Sequence, residues 1–166
     1  MNEILKLGLT LMIASMIAGA ALAFTNYFTS QKIEEQRMLA SKDSLSKVMT
    51  ADSFEERDGY YEAYDKNKKV IGKVLKVQIK GYASIISALV GVDSNNKITG
   101  IEIISQAETP GLGANIIKED FLNQFIGKTK EDLKIKKDGG KIDAITGATI
   151  SSRSVTNGIR SALEGN

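Results

Sequence analysis

The chain has 166 residues, a formal net charge of +2 with acidic and basic side chains intermixed, and neither Cys nor His. Disulfides, thiolate or imidazole metal sites, iron–sulfur ligation and every His-based triad are therefore excluded, and the mixed charge gives no nucleic-acid footprint. A chain with so little redox chemistry of its own needs a borrowed group if it is to move electrons.

No charged residue occurs from Leu7 to Gln31, and at helical rise such a run covers roughly 30 Å or more, enough to cross a bilayer once. Ala21-Leu22-Ala23 would also pass as a secretory cleavage site. The apolar run is longer than a usual signal core, so residues 1–29 are expected to be an anchor that stays attached in membrane lipid. Glu3 and Lys6 before it, and Lys32, Glu34 and Glu35 after it, give the positive-inside rule little to act on. Ser15, Gly19 and Ala23 lie four apart, a small-residue ridge on which another transmembrane helix can pack.

Residues 30–69 read as a linker helix and entry segment. The helix covers Ser30 to Met49, and Tyr60, Tyr61 and Tyr64 follow as a half-buried strand. From residue 70 to 166 the pattern is that of a folded domain. Leu75, Val77 and Ile79 alternate with Lys76, Gln78 and Lys80, a strand with one wet face. Gly81-Tyr82-Ala83-Ser84 interrupts the pattern. Ile85 to Val92 is short and nearly continuously apolar, as in a central strand, and the turn residues Asp93 to Asn96 lead into Ile98 to Ile104 as a hairpin. Ile117, Phe121 and Phe125 recur at helical spacing with Gly127 as a stop. Gly127-Lys128-Thr129 lacks the upstream glycine of a P-loop, which removes nucleoside triphosphate binding. A turn at Asp138-Gly139-Gly140 and a short strand from Lys141 to Ile145 come next. Strands grouped between helices give an α+β class with a mainly antiparallel sheet, and no G-x-G-x-x-G or βαβ alternation appears.

Two stretches carry chemistry. In Glu108-Thr109-Pro110-Gly111-Leu112-Gly113, Pro110 restrains the backbone while Gly111 and Gly113 permit turns, giving a shaped loop. Its amides, with Glu108 and Thr109, can bond the polar edge of a ring system; a plain connector is the alternative. Asp143-Ala144-Ile145-Thr146-Gly147-Ala148-Thr149 runs into a helix whose apolar stripe is Val155, Ile159 and Leu163, with Ser151 or Ser152 as its N-cap. A helix start presents free N–H groups and the positive end of its dipole, so a phosphate is stabilised there. Gly147 and Ala148 allow close approach, and Thr146 and Thr149 offer hydroxyls. A Ser/Thr-capped turn with no ligand is equally compatible with these residues.

Asp143-x-x-Thr146-Gly147-Ala148-Thr149 resembles the D-x-x-[S/T]-G-A-T motif of proteins that carry covalent FMN, and Glu108 to Gly113 is similar to the E-T-P-G-L-G loop of their membrane-anchored members. Together they resemble the G subunits of the Rnf electron-transport complex. Related C subunits of sodium-pumping NADH:quinone reductase share both motifs in longer chains. The resemblance implies FMN bound as a phosphoester of Thr149, attached by a separate flavin transferase that reads Asp143, Gly147, Ala148 and Thr149. It implies that Glu108, Thr109, Gly111 and Leu112 lie against the isoalloxazine, with Thr146, Gly147, Ala148 and Ser151 about the phosphate. It also implies other membrane subunits of the Rnf complex as partners, electrons passing between ferredoxin and NAD, and no independent catalytic residues or metal. The topology implied is single-pass in the cell (inner) membrane, N-terminus cytoplasmic and FMN domain extracytoplasmic. A stand-alone anchored flavoprotein serving an extracellular acceptor and a non-catalytic anchored interaction module are the other classes that fit.

Overall fold

The computed structural model describes residues 3, 6–16, 18, 19 and 42–165. The chain forms two compact units, Met1–Ser41 and Lys42–Asn166. In the first, residues 6–16 are helical, and Leu7, Leu9, Leu11, Met12, Ile13 and Met16 are all exposed. Among the described residues no helix is long and apolar enough to cross a membrane. About half of the expected anchor at 1–29 lies outside the described residues, as do Ala23 of the small-residue ridge and residues 30–41 of the linker helix.

The second unit is built on one sheet, β1 (Ser53–Arg57), β2 (Tyr60–Tyr64), β3 (Val70–Lys80), β4 (Ile85–Asp93) and β5 (Ile98–Ser105), in that spatial order. Every pairing is antiparallel, as the class assignment expects. The sheet begins at Ser53, inside the stretch read as the entry segment. The β2–β3 and β4–β5 turns share one construction. Asp65 Oδ1 accepts from the Asn67 and Lys69 amides at 2.8 and 2.9 Å, and Asp93 Oδ1 accepts from the Asn95 and Lys97 amides at the same distances. These Asx bonds add to the backbone turn bonds, Lys68 amide to Asp65 carbonyl and Asn96 amide to Asp93 carbonyl, each at 3.0 Å.

Strand alternation sorts the apolar side chains onto two faces. Leu75, Val77, Ile79, Ile86, Val90 and Val92 face the larger core, which α3 (Thr149–Glu164) closes with Val155 and Ile159. Helix α3 can approach β3 closely because Gly158 has no Cβ; one added there would meet Ile79 Cγ1 at 2.6 Å. Val74 and Leu89 point the other way, toward Leu45, Val48 and Met49, where residues 42–48 form helix α1. The cross-strand pair Gly91 and Gly100 leaves a gap for Val48, whose carbonyl accepts from Thr99 Oγ1 at 2.7 Å.

Between β5 and α3 the chain differs from expectation in two places. The stripe Ile117, Phe121, Phe125 is not one helix: it is divided among a 3-10 turn (Gly113–Ile117), α2 (Glu119–Leu122) and a second 3-10 turn (Asn123–Phe125). The break at Lys118, in extended geometry, rotates the first turn, so Ile116 is buried and Ile117 exposed. Lys141 to Ile145 is not a strand. It makes a single parallel bridge, Ile142 to Ile135, because the chain bends at once into the turn at residues 145–148.

Candidate functional site

Sheet register brings the site's loops to one end. Lys80 pairs with Ile85 and Ser105 with Ser87, so loop 81–84 and the segment after Ser105 leave the sheet side by side. The start of α3 meets them there. Between them lies a cleft of about 500 Å³, lined by Tyr82, Thr109, Leu112, Gly113 and Lys137 and by residues 147–151, within the size range of small-ligand and cofactor sites.

The turn ahead of α3 is closed by the Ala148 amide donating to the Ile145 carbonyl at 3.0 Å. Its third residue, Gly147, has φ +75, the left-handed geometry such a turn requires and a side chain resists. A Cβ on Gly147 would meet Leu112 Cδ2 at 2.8 Å, and one on Gly113 would meet Ser151 Oγ at 2.8 Å. The two glycines thus hollow out the cleft floor.

Helix α3 begins at Thr149, with Ala148 as its N-cap and no side chain bonding back to the first turn. The expectation that Ser151 or Ser152 caps the helix is therefore corrected: both lie inside it and are buried. Their hydroxyls are used elsewhere. Ser152 Oγ accepts from the Ile145 amide at 3.0 Å and donates to the Ala148 carbonyl at 2.9 Å, stitching turn to helix. Ser151 Oγ donates to Glu108 Oε2 at 2.6 Å. Without a capping side chain, the leading amides of α3 keep the partner-seeking character of a helix start.

Glu108 is the node of the site. Its side chain is buried, 4% exposed. Oε1 accepts from the Ala83 and Ser84 amides, each at 3.0 Å, and from Ser84 Oγ at 3.1 Å; Oε2 accepts from the Tyr82 amide at 3.2 Å and from Ser151. Burial pushes its pKa up, but the bonds from Ser151, the Ala83 and Ser84 amides and Ser84 Oγ outweigh burial and hold it below the ordinary glutamate value. One carboxylate so fastens loop 81–84, its own loop and α3 together.

On the opposite side of Thr149 stands Lys137, whose Nζ donates to Thr149 Oγ1 at 3.1 Å. The mouth of the cleft is apolar: Tyr82, Leu112 and Ile150 are large, exposed and adjacent to it. Of the residues singled out in the sequence, Thr109, Leu112, Gly147, Ala148, Thr149 and Ser151 line the cleft. Glu108 lies behind its wall. Gly111, with φ +74, shapes the loop, its carbonyl accepting from Asn115 Nδ2 at 2.8 Å. Asp143 and Thr146 line a neighbouring depression of about 320 Å³ with Gln124, which holds the Asp143 amide through its Oε1 at 2.7 Å. Lys137, Tyr82 and Ile150 were not singled out as site residues. Lys137 sits in an ordinary charged turn, and only the fold brings it to Thr149.

The residues fit an amphiphilic, phosphorylated ligand. The Thr149 hydroxyl, the start of α3 and the Lys137 ammonium converge in a cleft that Tyr82, Leu112 and Ile150 also line with exposed apolar surface. Among the described residues no Asp or Glu group is arranged to hold a metal ion.

Residues 81–164 match the FMN-binding domain family and residues 1–48 match the RnfG N-terminal region. The chain is 35% identical to the G subunit of the proton-translocating ferredoxin:NAD(+) oxidoreductase complex of Clostridium ljungdahlii, covering 98% of this chain and 91% of that one. It is 33% identical to the G subunit of the ion-translocating oxidoreductase complex of Methanosarcina acetivorans, over 98% and 94% of the two chains. Among solved structures, the C subunit of the Na(+)-translocating NADH-quinone reductase of Parabacteroides distasonis matches with TM-score 0.52 and 28% identity, over 64% of this chain and 59% of that one. NqrC of Shewanella oneidensis, at 19% identity and TM-score 0.53 over 72% and 67%, shares the fold.

Proposed function

We propose that this chain, which belongs to the RnfG family of G subunits of ion-translocating oxidoreductase complexes, carries FMN as a phosphoester of Thr149 and relays electrons within a ferredoxin:NAD oxidoreductase. The observation that carries the reading is the placement of the Thr149 hydroxyl. It lines the cleft at the start of α3, where no side chain caps the helix, and lies within reach of Lys137. Attachment replaces the Oγ1–H bond with an Oγ1–P bond to the phosphate of an activated flavin nucleotide, the proton leaving with the displaced group. A flavin transferase catalyses this step and reads Asp143, Gly147, Ala148 and Thr149, of which Asp143 and Gly147 are exposed and Thr149 is half-buried at the start of α3.

When bound, FMN supplies the redox step, and the protein supplies place and orientation. The leading amides of α3 face the phosphate. Thr109 and Leu112 form one wall against the ring, with Tyr82 at the mouth. Ser151, through Glu108, keeps α3 in register with the 108–113 loop. Residues 1–29 anchor the chain in the cell membrane, N-terminus cytoplasmic, and pack on other membrane subunits; the uncharged run that begins at Leu7, with its exposed apolar side chains, suits a lipid setting. On the extracytoplasmic side a covalent tether keeps a small cofactor at high effective concentration where a dissociated one is lost by dilution.

Intact-mass measurement on protein made with the flavin transferase tests the reading. An increment of one esterified FMN, lost in Thr149→Ala, is expected; an unmodified mass for the parent chain overturns it. Co-purification of other complex subunits in mild detergent distinguishes this role from that of a stand-alone flavoprotein.

A further inference from the structure

We propose that the turn Lys136–Asp138 is the seat of the phosphate on Thr149, with Lys137 as its counter-cation, an inference that rests on the covalent reading above. Three consecutive side chains of this turn each grip the acceptor segment. Lys136 Nζ pairs with Asp143 Oδ2 at 2.7 Å. Lys137 Nζ reaches Thr149 Oγ1. Asp138 takes both arms of the Arg153 guanidinium, Nε at 2.7 Å and Nη2 at 2.9 Å.

The charges of these groups do not cancel. Lys136 and Arg153 are each matched by a carboxylate, whereas the hydrogen bond of Lys137 goes to a neutral hydroxyl. One positive charge is thus left facing Thr149. A phosphodiester carries about one negative charge, and a charge-assisted bond to it is stronger than one to a hydroxyl. Once Oγ1 is an ester oxygen it becomes a poor acceptor, and the nonbridging phosphate oxygens lie two bonds further on, within the sweep of a lysine. The ammonium therefore keeps its place and changes its partner.

The backbone under Lys137 is fixed on both sides, which separates this arrangement from a casual surface contact. The Lys136 amide donates to the Ile142 carbonyl at 2.8 Å, and the Asp138 and Gly140 amides both donate to the Ile135 carbonyl, at 2.9 and 3.0 Å. A bidentate Arg–carboxylate fork adds orientation that a single ion pair lacks. Asp138 is in this sense a positioning residue, acting on the phosphate only through the stance of Lys137.

The test uses the full chain, produced with the flavin transferase and purified in detergent, as parent, Lys137→Gln, Lys137→Arg and Asp138→Asn. Intact mass reports attachment; the ³¹P chemical shift of the phosphodiester and its salt dependence report the counter-cation; flavin fluorescence anisotropy reports freedom of the tethered group. All four proteins should carry one FMN. In Lys137→Gln the ³¹P resonance should move and lose its salt dependence, and anisotropy should fall. Lys137→Arg should restore the parent values, and Asp138→Asn should lie between. Added salt should carry the parent resonance toward the Lys137→Gln position, since an exposed pair is screened. Parent-like ³¹P shift and anisotropy in Lys137→Gln overturn the proposal. So does a Lys137→Gln chain that accepts no flavin, because the lysine then serves attachment itself. An unmodified parent chain is a different failure, that of the covalent reading.

Discussion

Replacing Glu108 by Gln isolates the one charge that holds the cleft walls together. The glutamine carbonyl can still serve the three donors now on Oε1, the Ala83 and Ser84 amides and Ser84 Oγ. Its NH₂ takes the place of Oε2, where it meets another donor, the Tyr82 amide, and forces the Ser151 hydroxyl to turn around. One bond is lost and the rest lose their charge assistance. Bonds to a buried charged group contribute about 1.5–3 kcal/mol and an unpaired donor costs about 1–3, so a net loss of about 2–3 kcal/mol is expected. For a unit of this size that lowers the melting temperature by about 10 °C. The carboxylate's pKa is depressed on folding, so its stabilisation is complete above the unfolded value, roughly 4.3, and is lost as pH falls through the lower folded value. Thermal melts of parent and Glu108→Gln chains should therefore run apart by a constant gap from pH 5 to 8 and converge below about pH 4. A gap absent at neutral pH, or one that persists unchanged into acid, would refute the assignment of Glu108 as the node.

Thr149→Ala should melt within about 0.5 kcal/mol of the parent, because its hydroxyl bonds only an exposed lysine, yet carry no flavin fluorescence on a denaturing gel. Gly147→Ala forces a side chain into φ +75 and against Leu112; a loss of about 1–2 kcal/mol in urea unfolding, with reduced flavin loading by mass, is expected. Gly158→Ala should lower the urea midpoint despite the better helix propensity of alanine. The added methyl meets Ile79, branched and buried in β3, and overpacking of this kind costs about 1–3 kcal/mol.

The sheet was legible wherever alternation was strong. Leu75, Val77 and Ile79 against Lys76, Gln78 and Lys80 placed β3, and the turn residues after Val92 placed the β4–β5 hairpin. Strand β1 escaped because Phe54 alone of its residues is half-buried, although Asp58-Gly59 is a strong two-residue hairpin signal. The stripe at 117, 121 and 125 misled because helical spacing survives a break in the helix, and the register change at Lys118 is set by packing around Ile116. The cap of α3 was misplaced for a related reason. A serine hydroxyl suits a cap, but tertiary partners Glu108 and Ile145 claim Ser151 and Ser152. The turn at 145–148 and the 108–113 loop were visible as motifs, whereas Lys137 was not, since only the fold brings it to Thr149.

Glu108 and Lys137 stand on opposite sides of the start of α3, and their charges act in different ways. The negative charge of Glu108 is absorbed behind the wall by backbone amides and two serine hydroxyls, so it fastens the loops without repelling an anion in the cleft. The positive charge of Lys137 is left outward, beside the one hydroxyl of the acceptor motif that lines the cleft at the helix start. Tyr82, Leu112 and Ile150 then provide a mouth with no formal charge. A ligand with an anionic group and a flat, apolar body would find both a cation and apolar surface in this cleft, and Glu108 adds no exposed negative charge to oppose it.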